Sequence, residues 1–266
     1  MKMYHDDILA CCQGAGFQSV EYMTGILKAM EEFDMIPGRA MTSSGSSLTM
    51  SLYYSKGLEW IENVIRTHQP TDYIDFKPWK LAKEVVSMAN YFIDNVKIQT
   101  LLEENMTAEA TKRQSVGVTR LRDFKNFMVP ATPGTVLAST AIEGVFKPVL
   151  LNKELFGDSG LMNNIPTPPI QQVKNWKHIF IIVSPEPKFN NDPKDSFTKY
   201  LSNLFTAITY REVHQMKESG ILDMENVTLI QPEEELGSGL LNWSPNYQFM
   251  DACYEQTKEI LKNVEI

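Results

Sequence analysis

Hydrophobic residues along this 266-residue chain change their spacing several times, and each change marks an element. Ile8 to Cys12 is an unbroken apolar run that stops at Gln13-Gly14-Ala15-Gly16. Its length and its glycine turn predict a buried strand. From Ser19 the apolar positions fall at Val20, Met23, Leu27, Met30 and Phe33. Gaps of three and four predict an amphipathic helix, capped by Ser19 and ended before Pro37-Gly38. Residues 39–42 predict a second strand. Residues 45–56 predict a second helix, with Leu48, Leu52 and Ser55 on one face. Strand, helix, strand, helix implies a parallel sheet with right-handed crossovers.

Residues 57–130 have a different texture. "GLEWIENVIRTH", "KPWKLAKEVVSMANYFI" and "VKIQTLLEENMTAEATKR" are helix-like stretches parted by Pro, Asp and Thr. The block is expected to lie over the sheet as a helical cap. Strand character is expected to resume in "GTVLAST" and "FKPVLLN". "HIFIIVS", residues 178–184, is the clearest buried strand, because consecutive apolar residues suit a strand covered on both faces. "NVTLIQP" predicts the last strand and "YQFMDACYEQTKEILKN" a closing helix. The pattern is that of one α/β domain over residues 1–266, a mainly parallel sheet flanked by helices, with the cap inserted.

Composition narrows the function. A net charge of −8 and a pI near 5.1 argue against a general nucleic-acid binder. Cys11, Cys12 and Cys253 are odd in number and lack CxxC spacing, which argues against a disulfide framework and a zinc site. No metal or other cofactor is expected. The first apolar run is too short for a signal peptide and follows two aspartates. No stretch approaches the roughly 18 apolar residues of a membrane span. The expectation is a cytoplasmic protein that meets membranes from their surface. Nothing here indicates an oligomeric state.

Two turns carry candidate chemistry. Gly14 and Gly16 between a strand and a helix start suit an oxyanion hole, a phosphate cradle or an ordinary tight turn. No Gly-Lys-Ser/Thr follows, and the third glycine of a dinucleotide fingerprint would fall at Ser19. The second turn is "TSSGSS", Thr42 to Ser47. Ser44 stands at the strand–helix junction, as either a nucleophile elbow or a helix cap. Gly45 after it has no side chain to cover its N–H. Asp158 lies in the turn "GDSG", where an Asp commonly makes an Asx-type bond. His5, His68, His178 and His214 have no motif context for a catalytic triad. Trp60, Tyr73, Phe76 and Trp79 in the cap block suit either core packing or interfacial docking.

Taken in order, these segments resemble the patatin-like phospholipase family. "TGILKAMEE" is similar to that family's first helix, and "ASTAIEGVFKP", Ala138 to Pro148, to its "AS.AIPG.F.P" stretch. Asp158 matches its Asp-Gly-Gly/Ala motif, and Asn164-Ile165-Pro166 its "N.P". The resemblance covers roughly residues 8–57 and 134–184. It implies Ser44 as nucleophile and Asp158 as general base, paired directly without a histidine. It implies an oxyanion hole from Gly14, Ala15 and Gly16, completed by Gly45. The implied substrate is a phospholipid or another acyl ester. Departures stand at Gln18, Thr42, Ser46 and Ser159, where the family has a basic residue and three glycines. They leave open an esterase for soluble substrates and an inactive lipid-binding homologue.

Overall fold

The computed structural model describes residues 4–16, 18–68, 72, 75–76, 93–184, 197–233 and 247–266. Strand β1, His5–Cys12, leads into α1, Gln18–Glu32, then β2, Pro37–Thr42, and α2, Gly45–Lys56. Helix α3, Leu58–Thr67, follows at once, because Gly57 turns the chain at φ 84°. A two-stranded ribbon, β3 (Asp75–Phe76) and β4 (Ile93–Asp94), precedes α4, Val96–Asn105, and α5, Ala108–Arg113. The chain then re-enters the sheet as β5, Gln114–Arg120, and β6, Lys125–Pro130. Next come α6 (Pro133–Ser139), β7 (Val149–Leu151), β8 (Glu154–Asp158), α7 (Ile170–Val173), β9 (His178–Ile182) and α8 (Phe197–Glu218). β10, Val227–Ile230, and α9, Tyr247–Leu261, complete the order.

The main sheet runs β10-β9-β1-β2-β5-β8-β7, with β6 also on β5. Pairs from β10 to β5 are parallel, while β6, β7 and β8 pair antiparallel. Alternate residues of β1 serve two cores. Ile8, Ala10 and Cys12 pack with α1 and α2, and Leu9 and Cys11 pack with β9 and α8. A strand covered on both faces has no polar positions to spare, which is why its sequence is a continuous apolar run. Helix α1 crosses α9 so closely that a Cβ on Gly25 would stand 2.3 Å from the Met250 carbonyl oxygen.

Two expectations need correction. Residues 114–120 and 125–130, placed in the helical cap, are strands of the main sheet. The helical pattern ends at Arg113, and Val116 and Val118 beyond it are buried β-branched residues. "GTVLAST" is helix α6, not a strand. Thr132 caps it, accepting from the Thr135 N–H while the Thr135 hydroxyl accepts from the Thr132 N–H, and Pro133 sits at its first turn. Within the expected cap, residues 77–92 lie outside the described residues, as do Tyr73, Trp79 and the Phe76 side chain. Trp60 is partly buried against the main core.

Candidate active site

Strand β5 explains how residues 114 positions apart meet. Its Thr42-facing register is Val116, and its Asp158-facing register is Val118. β6 runs along the other edge of β5, from Ser115 to Arg120. β2 and β8 therefore share one edge of β5, one running up to it and the other down. Their carboxyl ends point at each other across a gap of about one residue. Ser44, just past the end of β2, meets Asp158, the last residue of β8. The Ser44 hydroxyl donates to Asp158 Oδ2 at 2.5 Å.

Ser44 is held in a sharp turn with φ 52° and ψ −133°, a conformation that non-glycine residues rarely adopt. Such a turn lifts the side chain off the strand line and places it before the next helix. Its own hydroxyl makes no cap bond to α2. Ser44 thus holds the N-cap position of α2 while its hydroxyl is directed to Asp158 instead. Neighbours fix the turn. The Ser44 N–H donates to Ser139 Oγ at 3.0 Å, and Ser139 Oγ pairs with Ser47 Oγ at 2.9 Å. The Ser43 N–H donates to the Cys12 carbonyl, and the Ser46 hydroxyl reaches the Ser43 and Cys12 carbonyls. Gln114 donates to Thr42 Oγ1 and the Ser47 carbonyl and accepts from Ser51. Thr42 and Ser46 are thus hydrogen-bonded in place. Ser159 is too: its hydroxyl pairs with Ser43 Oγ at 2.7 Å and lies against Gly117, whose Cβ would come within 2.5 Å.

Asp158 is fully buried. Its Oδ1 accepts from the Gly160 N–H at 2.7 Å, and its N–H donates to the Ala141 carbonyl. Burial pushes its carboxyl up to about 7, against the opposing pull of the Ser44 and Gly160 hydrogen bonds. A second carboxyl stands close by. Glu143 has both oxygens buried without a hydrogen-bond partner among the described residues, and Oε1 would meet a Cβ on Gly157 at 2.5 Å. Burial, then the Asp158 charge, raise Glu143 to about 8.

The glycine loop lies beside this pair. A Cβ on Gly14 would stand 2.4 Å from Ser44 Cβ, and one on Gly45 would stand 2.0 Å from the Gly16 carbonyl oxygen. Bare backbone is required at both contacts. Two of the four expected oxyanion donors are engaged elsewhere: the Gly14 N–H donates to the Asn164 carbonyl and the Ala15 N–H to Ser19 Oγ. Ser19 is accordingly inside α1, tying the loop down, and is not its N-cap. The Gly16 and Gly45 N–H groups have no acceptor among the described residues. Gly16 sits at φ 57°. A small apolar cavity of about 20 Å³ adjoins Ser44, lined by Val20, Leu48, Ile98, Ile142 and Phe146.

Sequence reasoning missed Ser139, Ser19, Gln114 and Glu143. A signal for Glu143 was present, since it stands where the resembling family has proline. The histidines are elsewhere; His178 Nε2 pairs with Thr228 Oγ1 on β10. Among the described residues no three His, Cys, Asp or Glu side chains group to hold a metal, and no helix is long and apolar enough to cross a membrane.

No protein-family model matches the sequence. No curated protein matches it either. Among solved structures, VipD from Legionella pneumophila matches with a TM-score of 0.51 at 11% identity, covering 98% of this chain and 67% of VipD. At that identity the likeness is one of fold: a central, mostly parallel sheet flanked by helices, consistent with the patatin-like class.

Proposed function

We propose that this chain is a lipid acyl hydrolase, of phospholipase A or lysophospholipase type, working through Ser44 and Asp158. The observation that carries the reading is the direct 2.5 Å bond from a serine in a strained elbow to a buried carboxylate. Ionised Asp158 accepts the Ser44 proton as Oγ attacks the ester carbonyl carbon. The tetrahedral oxyanion is received by the Gly16 and Gly45 N–H groups at the start of α2, where the helix dipole adds to them. Collapse breaks the ester bond, and the departing alcohol oxygen takes the proton from Asp158. Water then gives a proton to Asp158 and attacks the acyl-enzyme, releasing the fatty acid and returning the proton to Ser44.

The side chains beside Ser44 are apolar, which suits the first carbons of an aliphatic acyl chain better than a sugar or a charged peptide. The protein is expected to act from the cytoplasm at a membrane surface, without a cofactor. Ser44→Ala and Asp158→Asn should each lower hydrolysis of a short-chain p-nitrophenyl ester to background, because the two act as one unit. Turnover near that of the unaltered protein in either variant, with the fold intact, would exclude the assignment.

A further inference from the structure

The β5–β6 turn and the β7–β8 hairpin form one surface. The Leu121 N–H donates to the Leu155 carbonyl, and Glu154 binds both Arg120 and Arg122. Because β5 is parallel to β2, this surface lies at the same end of the sheet as Ser44. Leu121 is three residues past the register of Asp158, or roughly 10 Å further along the strand direction.

Its exposed side chains are unusual. Leu150 and Leu155 are direct cross-strand partners, so they share one face, and they are 66% and 48% exposed. Phe124 at the neighbouring turn is 58% exposed and has φ 52°. A bulky residue in the left-handed region is strained, and Gly or Asn would sit there at lower cost. The other hairpin turns through Asn152 and Lys153 at φ 49° and 69°. That geometry takes Asn then Gly most readily, yet the second place holds an exposed lysine. Both turns thus keep a conformationally costly residue that displays an apolar or basic side chain, which is the pattern expected where strain serves function.

Charge selects the occupant. Around these tips Arg120, Arg122, Lys125 and Lys153 stand against Asp123 and Glu154, a local cationic excess on a chain of net charge −8. Convex tips carrying leucine, phenylalanine and lysine suit penetration of a lipid headgroup layer, and cations favour anionic lipid. We propose that the paired hairpin tips are a docking surface for anionic membranes. It rests on the acyl-hydrolase reading for its purpose, since it would bring the Ser44 end of the sheet to the lipid.

The test is cosedimentation of the full chain with vesicles of phosphatidylcholine alone or mixed with phosphatidylserine. The unaltered protein should bind the mixed vesicles more tightly and lose binding as salt rises. L150S/L155S should weaken binding about tenfold or more, since it removes two large apolar side chains from the contact. K125E/K153E should abolish the preference for anionic vesicles. F124G should raise the melting temperature yet weaken binding, separating docking from folding. Hydrolysis of a soluble short-chain ester should be unchanged in all three. A chain inactive on esters that still docks through these residues would keep this inference and refute the hydrolase reading. Binding retained in L150S/L155S, equal affinity for both vesicle types, or a homodimer that L150S/L155S dissociates would overturn it.

Discussion

Ser44 holds a backbone conformation that its side chain makes costly. Residues in such regions carry about 1–3 kcal/mol of strain, and glycine relieves it. Ser44→Gly should therefore be more stable than Ser44→Ala by about 1 kcal/mol or more in urea unfolding, although both lack the hydroxyl. Equal stability would mean the turn is unstrained. Asp158 carries a matching cost. Its carboxyl is raised from 3.8 to about 7 by burial, so the folded protein holds a proton that the unfolded chain has lost. That group's contribution to stability is full below pH 3.8 and is lost as pH rises toward 7. Asp158→Asn should accordingly stabilise the protein at pH 8 by on the order of 2 kcal/mol and have little effect at pH 4. The same shift sets activity: kcat/KM should rise with pH to a plateau reached above about 7, as Asp158 ionises. Motif order singled out Ser44 and Asp158, two side chains that the fold brings into contact. It did not give the roles of Ser139 and Ser19, because a hydroxyl that satisfies one backbone N–H leaves no periodic trace in the sequence.

At the scale of elements, what was legible was periodicity. β1, α1, β2, α2, β9, β10 and α9 lie where apolar spacing predicts them. What was misread lay where local capping chemistry or tertiary pairing overrides spacing. "GTVLAST" is rich in β-formers, but Thr132, Pro133 and Thr135 start a helix. Strands β5 and β6 follow three helix-like stretches and reveal themselves only through partners distant in sequence. The α1–α9 crossing gives a test. Gly25→Ala inserts a methyl against the Met250 carbonyl, a backbone atom that cannot turn aside. It should destabilise by about 1–3 kcal/mol, although alanine is the better helix former. A neutral or stabilising effect in thermal unfolding would show that the helices are further apart.

In the whole molecule, the decisive arrangement is two strand ends directed at each other along β5. It places the Ser44 elbow, the Asp158 carboxylate and the N–H groups of Gly16 and Gly45 in one place, although 114 positions separate the first two. It also puts the β5–β6 and β7–β8 tips at that same end. The likeness to VipD, at a TM-score of 0.51 and 11% identity, is one of fold. The most direct measurement is labelling of the folded protein with a fluorophosphonate, followed by peptide mass mapping. The account predicts one adduct, on Ser44, absent in Ser44→Ala and strongly slowed in Asp158→Asn. An adduct on Ser43 or Ser46, or none on any serine of a well-folded protein, would contradict it.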